Sequence, residues 1–216
     1  MKSTKSVRPE PRWPASLALL VCAGLYLLLS SRIAVGPRWL LPVLVVLPLF
    51  PLSARRHRRP DDSPWVRYLC MSLIALVTVA NFTSVCLLVD HLLNAHVSQG
   101  RALIFSAVSV WITNVIVFGL WFWELDRGGP HIRAGEQDLR LPDIQFPQME
   151  NPTLAPDDWH PRFYDYLYTS LANGTSFAPA DAMPLTAKAK LLFAGETLIS
   201  LITISIVAAR AVNILH

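Results

Sequence analysis

Charged residues are missing from long stretches of the chain and crowd the segments between them. Between residues 13 and 54 the only charges are Arg32 and Arg38. Residues 68–89 and 102–123 carry none, and residues 191–209 carry one, Glu196. Three of these windows are 19 to 22 residues long. An apolar helix of about 20 residues crosses a hydrocarbon core about 30 Å thick. The pattern therefore predicts transmembrane helices.

The first run, residues 14–31, follows a basic N-terminus. It has the charged start and short apolar core of a secretory signal, but no small-x-small cleavage site precedes Arg32, so a retained helix is expected. The second, residues 39–53, holds Pro42, Pro48 and Pro51 and reads as a short kinked span. The third and fourth cover residues 68–93 and 102–125, and a last span covers 187–213. Asn81, Thr83, Ser84, Thr113 and Asn114 lie inside spans, where polar side chains bond across helices. Trp121 and Trp123 read as an interfacial aromatic belt.

Residues 126–161 break the pattern, with six prolines, seven acids and three arginines. The expectation is a solvent-exposed loop, with residues 144–149 (IQFPQM) docking on the body. Residues 163–172 then form an aromatic, amphipathic stretch whose helix of about 15 Å is too short to span. A breaker-rich turn over residues 173–184 separates it from the final span. A half-helix, a turn and a full helix read as a re-entrant loop, which persists at membrane depth only when buried in protein or lining water.

The expected fold is thus an all-α integral membrane protein of five transmembrane helices plus a re-entrant half-helix. Residues 1–125 form a four-helix membrane region, 126–160 a proline-rich acidic soluble loop, and 161–216 the re-entrant segment and final helix. With an N-terminus inside, 15 of the 19 Lys and Arg residues fall on one side and four (Arg32, Arg38, Arg101 and Arg210) on the other. The positive-inside rule makes the first side cytoplasmic. The expected location is the plasma (bacterial inner) membrane, multi-pass, with the N-terminus cytoplasmic.

Composition agrees: 53% of residues are hydrophobic and 16% charged, against roughly 25% charged in soluble domains. A soluble enzyme, a secreted disulfide scaffold and a disordered chain are excluded. Cys22, Cys70 and Cys86 lie in apolar windows with no metal or redox spacing. The net charge of +4 comes from flanking clusters, chiefly Arg55, Arg56, Arg58 and Arg59, which read as a membrane anchor. No nucleic-acid partner follows. Asp90, His91 and His96 cluster at a span end as surface or capping groups. No catalytic triad order, phosphate loop or metal spacing appears, so no enzyme, cofactor or metal is expected.

The C-terminal part carries one more signal. Tyr168-Thr169-Ser170-Leu171, then Thr175-Ser176-Phe177-Ala178-Pro179-Ala180-Asp181, then Pro184-Leu185-Thr186 resemble the pore loop of bacterial two-helix, potassium-channel-like proteins. The likeness runs on through Gly195-Glu196-Thr197-Leu198-Ile199-Ser200 and Ala208-Ala209-Arg210-Ala211-Val212, and covers about a quarter of the chain. WELDRGGP, FPQM and the VAARAVNIL ending resemble an uncharacterised family of bacterial predicted membrane proteins. The filter is degenerate: its glycines fall on Ala178 and Ala180 and its tyrosine on Pro179. Proline fixes φ and constrains the residue before it, so a potassium-type ladder of carbonyls does not form.

The resemblance implies a channel-like protein that passes a cation or small solute weakly or without selectivity, with Thr175, Ser176, Phe177, Ala178, Pro179, Ala180 and Asp181 at the constriction. It also implies a homo-oligomer, a tetramer. The charge count puts the loop's entrance on the cytoplasmic side, opposite to potassium channels. The other reading is a non-conducting scaffold or partner-binding subunit, with a protein partner on residues 126–160. Glu196, an ionisable group inside a span, is a candidate for proton or cation handling, or else an acid bonded to Thr or Asn of a neighbouring helix.

Overall fold

The computed structural model describes residues 10–34, 36–54, 64–94, 100–133, 140–151, 153, 155–156, 159–175 and 181–214. Among these the chain is all-α apart from one pair of two-residue strands. The helices are α1 (Trp13–Leu27), α2 (Leu40–Ala54), α3 (Pro64–Asn94), α4 (Gly100–Leu125), α5 (Pro130–Arg133), α6 (Pro147–Glu150), α7 (Phe163–Thr175) and α8 (Ala187–Ile214).

Three segments are long and apolar enough to cross a membrane: Trp65–Leu92, Ala102–Gly128 and Ala187–Ala209. They correspond to α3, α4 and α8. The five expected spans divide here, because α1 and α2 have 15 residues each, or about 22 Å at 1.5 Å per residue. The first run stops at Leu27, and a turn follows in which the Ser30 amide donates to Ser106 Oγ of α4 (3.2 Å). Leu47, Val79, Phe105, Leu191 and Leu198 point outward, leaving apolar surface that a water-soluble fold would bury. The protein is a membrane protein by this measure.

α4 is the central element and packs against α1, α3, α7 and α8. It runs antiparallel to α8: Phe122 stacks on Phe193 (4.5 Å between ring centroids), and Asn114 reaches Ser200. It also runs antiparallel to α3, where Trp121 donates to Thr78 Oγ1 (2.9 Å), and Leu88 clusters with Leu103 and Ala107. The first residues of α1, α3, α7 and α8 therefore gather around the last turn of α4, at one pole.

At that pole the two tryptophans correct the aromatic-belt expectation. Trp123 is fully buried and donates to Glu10 Oε2 (2.7 Å), because the N-terminal segment and α7 cover it. Trp121 spends its N–H on α3. The polar residues inside the spans divide likewise. Asn114 bonds across to α8 as expected, whereas Thr83 and Thr113 bond the carbonyls of Val79 and Ser109 in their own helices.

α4 ends where three residues take left-handed backbone: Arg127 (φ 50°), Gly128 (φ 86°) and Gly129 (φ 100°). A side chain at Gly129 would meet the Glu124 carbonyl at 3.0 Å, so glycine is needed for more than its φ. Arg133 of α5 folds back and donates to the Trp123 and Asp126 carbonyls (2.7 and 2.8 Å), satisfying the open end of the helix. Ile144 and Phe146, from the docking segment expected of the loop, are buried.

Candidate functional site

α7 begins at the pole and descends beside α4. Phe163 meets Trp123 edge-on (5.8 Å), Tyr166 donates to Asp126 Oδ2 (2.6 Å), and Leu167 sits over Gly119. A Cβ on Gly119 would lie 3.1 Å from the Leu167 Cα. Deeper, Ser170 donates to the Val115 carbonyl (2.6 Å), and Trp111 donates to the Gly174 carbonyl (3.4 Å). α7 thus follows α4 from Trp123 to Trp111, twelve residues or about 18 Å.

The chain then returns. β2 (Met183–Pro184) pairs antiparallel with β1 (Ile144–Gln145), Ile144 opposite Pro184 and Gln145 opposite Met183. The Leu185 amide donates to the Asp143 carbonyl (2.8 Å), and the Asp143 amide to Asp126 Oδ1 (2.8 Å). By Leu185 the chain is back at the end of α4 from which α7 started.

Each end of this excursion is capped. The α7 N-terminus receives two carboxylates: Asp165 Oδ2 accepts the Arg162 amide (2.7 Å) and Glu10 Oε1 accepts the Phe163 amide (2.7 Å). Both satisfy open amides at the positive end of the helix dipole. Thr186 caps α8, its Oγ1 accepting from the Ala189 amide (3.3 Å). The same hydroxyl donates to Asp143 Oδ1 (2.7 Å).

Two charge clusters hold the pole together. Asp143 takes the Thr186 hydroxyl, the Arg127 amide on Oδ2 (3.0 Å) and the Lys188 ammonium (3.4 Å). Partial burial works against its charge, but these partners outweigh it and hold its carboxyl below the usual range. Burial pushes the Tyr166 phenol well above its ordinary value, and the neighbouring Asp126 acts in the same direction. Arg133 lies 5.0 Å over the Tyr166 ring. The fully buried Glu124 faces Arg67 Nε (3.5 Å) and Arg12 Nη2 (3.7 Å).

Glu196 lies where α4, α7 and α8 meet, fully buried. Ser170 Oγ hydrogen-bonds its Oε1, and Asn173 Nδ2 donates to its Oε2 (2.8 Å) and to the Phe193 carbonyl (3.1 Å). Asn173 Oδ1 accepts from Thr197 (3.2 Å). Asn114 Nδ2 donates to the Glu196 carbonyl (3.3 Å) and to Ser200 Oγ (3.1 Å). The sequence singled out Glu196, and the structure joins its carboxyl to Ser170 and Asn173 of α7. The reading of an acid bonded to Thr or Asn of a neighbouring helix fits Asn173, and Asn114 bonds across as expected, although to the Glu196 carbonyl rather than its carboxyl; Ser170 was not singled out as a partner.

Of the filter-equivalent residues, Thr175 ends α7, exposed, with its hydroxyl donating to the Leu171 carbonyl (2.7 Å). Asp181 is also exposed. Ser176, Phe177, Ala178, Pro179 and Ala180 lie outside the described residues. Asp90 and His91 lie near the end of α3, and His96 is outside the described residues. Among the described residues no group of three or more His, Cys, Asp or Glu could hold a metal. No protein-family model, curated protein or solved structure matches this chain. Its function is therefore read from its own residues.

Proposed function

We propose that this is a channel-like, multi-pass protein of a bacterial inner membrane, with its N-terminus in the cytoplasm, that passes a cation or small solute with little selectivity. The observation that carries this reading is the path of α7. It enters beside Trp123, reaches Trp111, and the chain is back at Asp143 by Leu185. This course supports a re-entrant hairpin, with Thr175 at the deep end of α7 and Asp181 two residues before β2 on the returning arm. Hydroxyls and one carboxylate would line the constriction of a homo-oligomer, a tetramer by resemblance, without the carbonyl ladder that selects potassium. The 15-to-4 split of Lys and Arg supports the orientation.

Flux of K⁺, Na⁺ and protons in proteoliposomes tests it. Flux that falls in Asp181→Asn is expected. Absence of flux for every ion would overturn it and favour a second reading, a non-conducting scaffold. One observation supports that alternative: the polar side chains between α4, α7 and α8 bond one another rather than lining a water path. A partner that co-purifies with the full chain and is lost on deleting residues 130–160 would be its signature.

A further inference from the structure

We infer that Glu196 is a proton-binding site: it holds a proton at neutral pH and uses it to latch α7 onto α4. Ser170 Oγ has one hydrogen and stands against two oxygens, the Val115 carbonyl (2.6 Å) and Glu196 Oε1. If Glu196 were ionised, one of these contacts would be two oxygens facing each other with no hydrogen between them. With a proton on Oε1 the chain closes: Glu196 donates to Ser170, and Ser170 donates to Val115.

The other oxygen fits the same assignment. Oε2 accepts one Asn173 N–H while the second goes to the Phe193 carbonyl, so the amide is used in full. The Asn114 amide is likewise divided between the Glu196 carbonyl and Ser200. Every group that α4, α7 and α8 bring to this carboxyl is neutral: Asn114 and the Val115 carbonyl, Ser170 and Asn173, Thr197 and Ser200. Among the described residues no charged side chain acts on it. A buried carboxylate with no cation is costly, and such a group neutralises instead. The ligand is a proton rather than a metal ion, since among the described residues no group of three or more His, Cys, Asp or Glu gathers here.

Of the two bonds that hold the deep part of α7 to α4, the one from Ser170 to Val115 depends on the proton, and the one from Trp111 to the Gly174 carbonyl does not. Removing the proton leaves a charge facing Asn173 and draws the single Ser170 hydrogen from the Val115 carbonyl to the carboxylate, so α7 loses that bond to α4. Protonation of this carboxyl is independent of permeation and is read at the carboxyl itself.

Infrared difference spectroscopy of the full chain in nanodiscs, titrated with protons alone, tests it. A protonated-carboxyl carbonyl band at pH 7 that disappears in Glu196→Gln is expected. Gln offers an N–H to Ser170 and a carbonyl to Asn173, so this variant keeps the wild-type melting midpoint while Glu196→Ala lowers it. Ser170→Ala removes the acceptor of that proton and shifts the band. Wild-type and Glu196→Gln spectra that coincide in this region would overturn the assignment. So would a Glu196→Gln variant as unstable as Glu196→Ala, or a band unmoved in Ser170→Ala.

Discussion

Tyr166→Phe isolates the tie between α7 and the end of α4. The ring is fully buried and keeps its contacts in the variant, with Phe146 edge-on at 5.2 Å and Arg133 above it at 5.0 Å. Only the hydroxyl goes. Its partner, Asp126 Oδ2, is left facing Arg127 Nε at 3.5 Å, a contact without hydrogen-bond geometry, since that Nε has no hydrogen-bond partner. Asp126 is buried, so bulk water cannot take the vacated place. A hydrogen bond to a charged group contributes about 1.5–3 kcal/mol, and stranding a buried acceptor costs on the same scale. Phenylalanine recovers part of this, because it has no hydroxyl to desolvate, but that gain does not reach the orphaned carboxylate. At about 2–4 °C per kcal/mol for a chain of this size, the midpoint should fall by about 3–12 °C. Thermal scans in detergent measure it, with Tyr164→Phe as control because Tyr164 is 60% exposed. In a double-mutant cycle with Asp126→Asn, the double variant should lose less than the sum of the two single losses. A Tyr166→Phe midpoint equal to that of the control would refute the argument that this hydroxyl anchors α7.

Other perturbations follow from the same contacts. Gly119→Val should push α7 off α4, because the obstacle is the Leu167 backbone; overpacking costs about 1–3 kcal/mol, read as a lower midpoint and faster proteolysis near α7. Asp143 contributes stability while ionised. Its folded value lies below the ordinary one of about 3.9, so that contribution is present above this value and is lost as pH falls through the folded one. Midpoints measured from pH 6 down to pH 3 should drop more steeply in wild type than in Asp143→Asn. Trp123→Phe should remove the indole bond to Glu10 and lower the midpoint by an amount similar to Tyr166→Phe; if Glu10→Gln alone gives no loss, the charge on Glu10 does not matter.

The three long spans are legible in the sequence because each holds a charge-free or nearly charge-free window of 19 to 22 residues, close to the length that crosses a hydrocarbon core. α1 and α2 are as apolar, but what shortens α1 is a turn held by Ser106, which hydropathy does not see. Glu196 stands out as the one acid in its window. Its partners do not, because Ser170 and Asn173 lie on a separate helix and have no period of their own. WELDRGGP is readable as an end to α4. That Asp126 binds Tyr166 and the returning Asp143 appears only once residues 140–151 fold back. The aromatic belt failed for a similar reason: a tryptophan near a helix end marks an interface only if nothing covers it.

Glu10 caps α7 from 153 positions earlier in the chain. No neighbour of Phe163 supplies that acceptor, so α7 cannot reach its final seat from local sequence alone. Glu10 is made well before α7, so the bond between them closes only once α7 has been made. A substitution that removes the Glu10 carboxylate would act 153 positions away, loosening the start of α7 and freeing the Trp123 indole of α4.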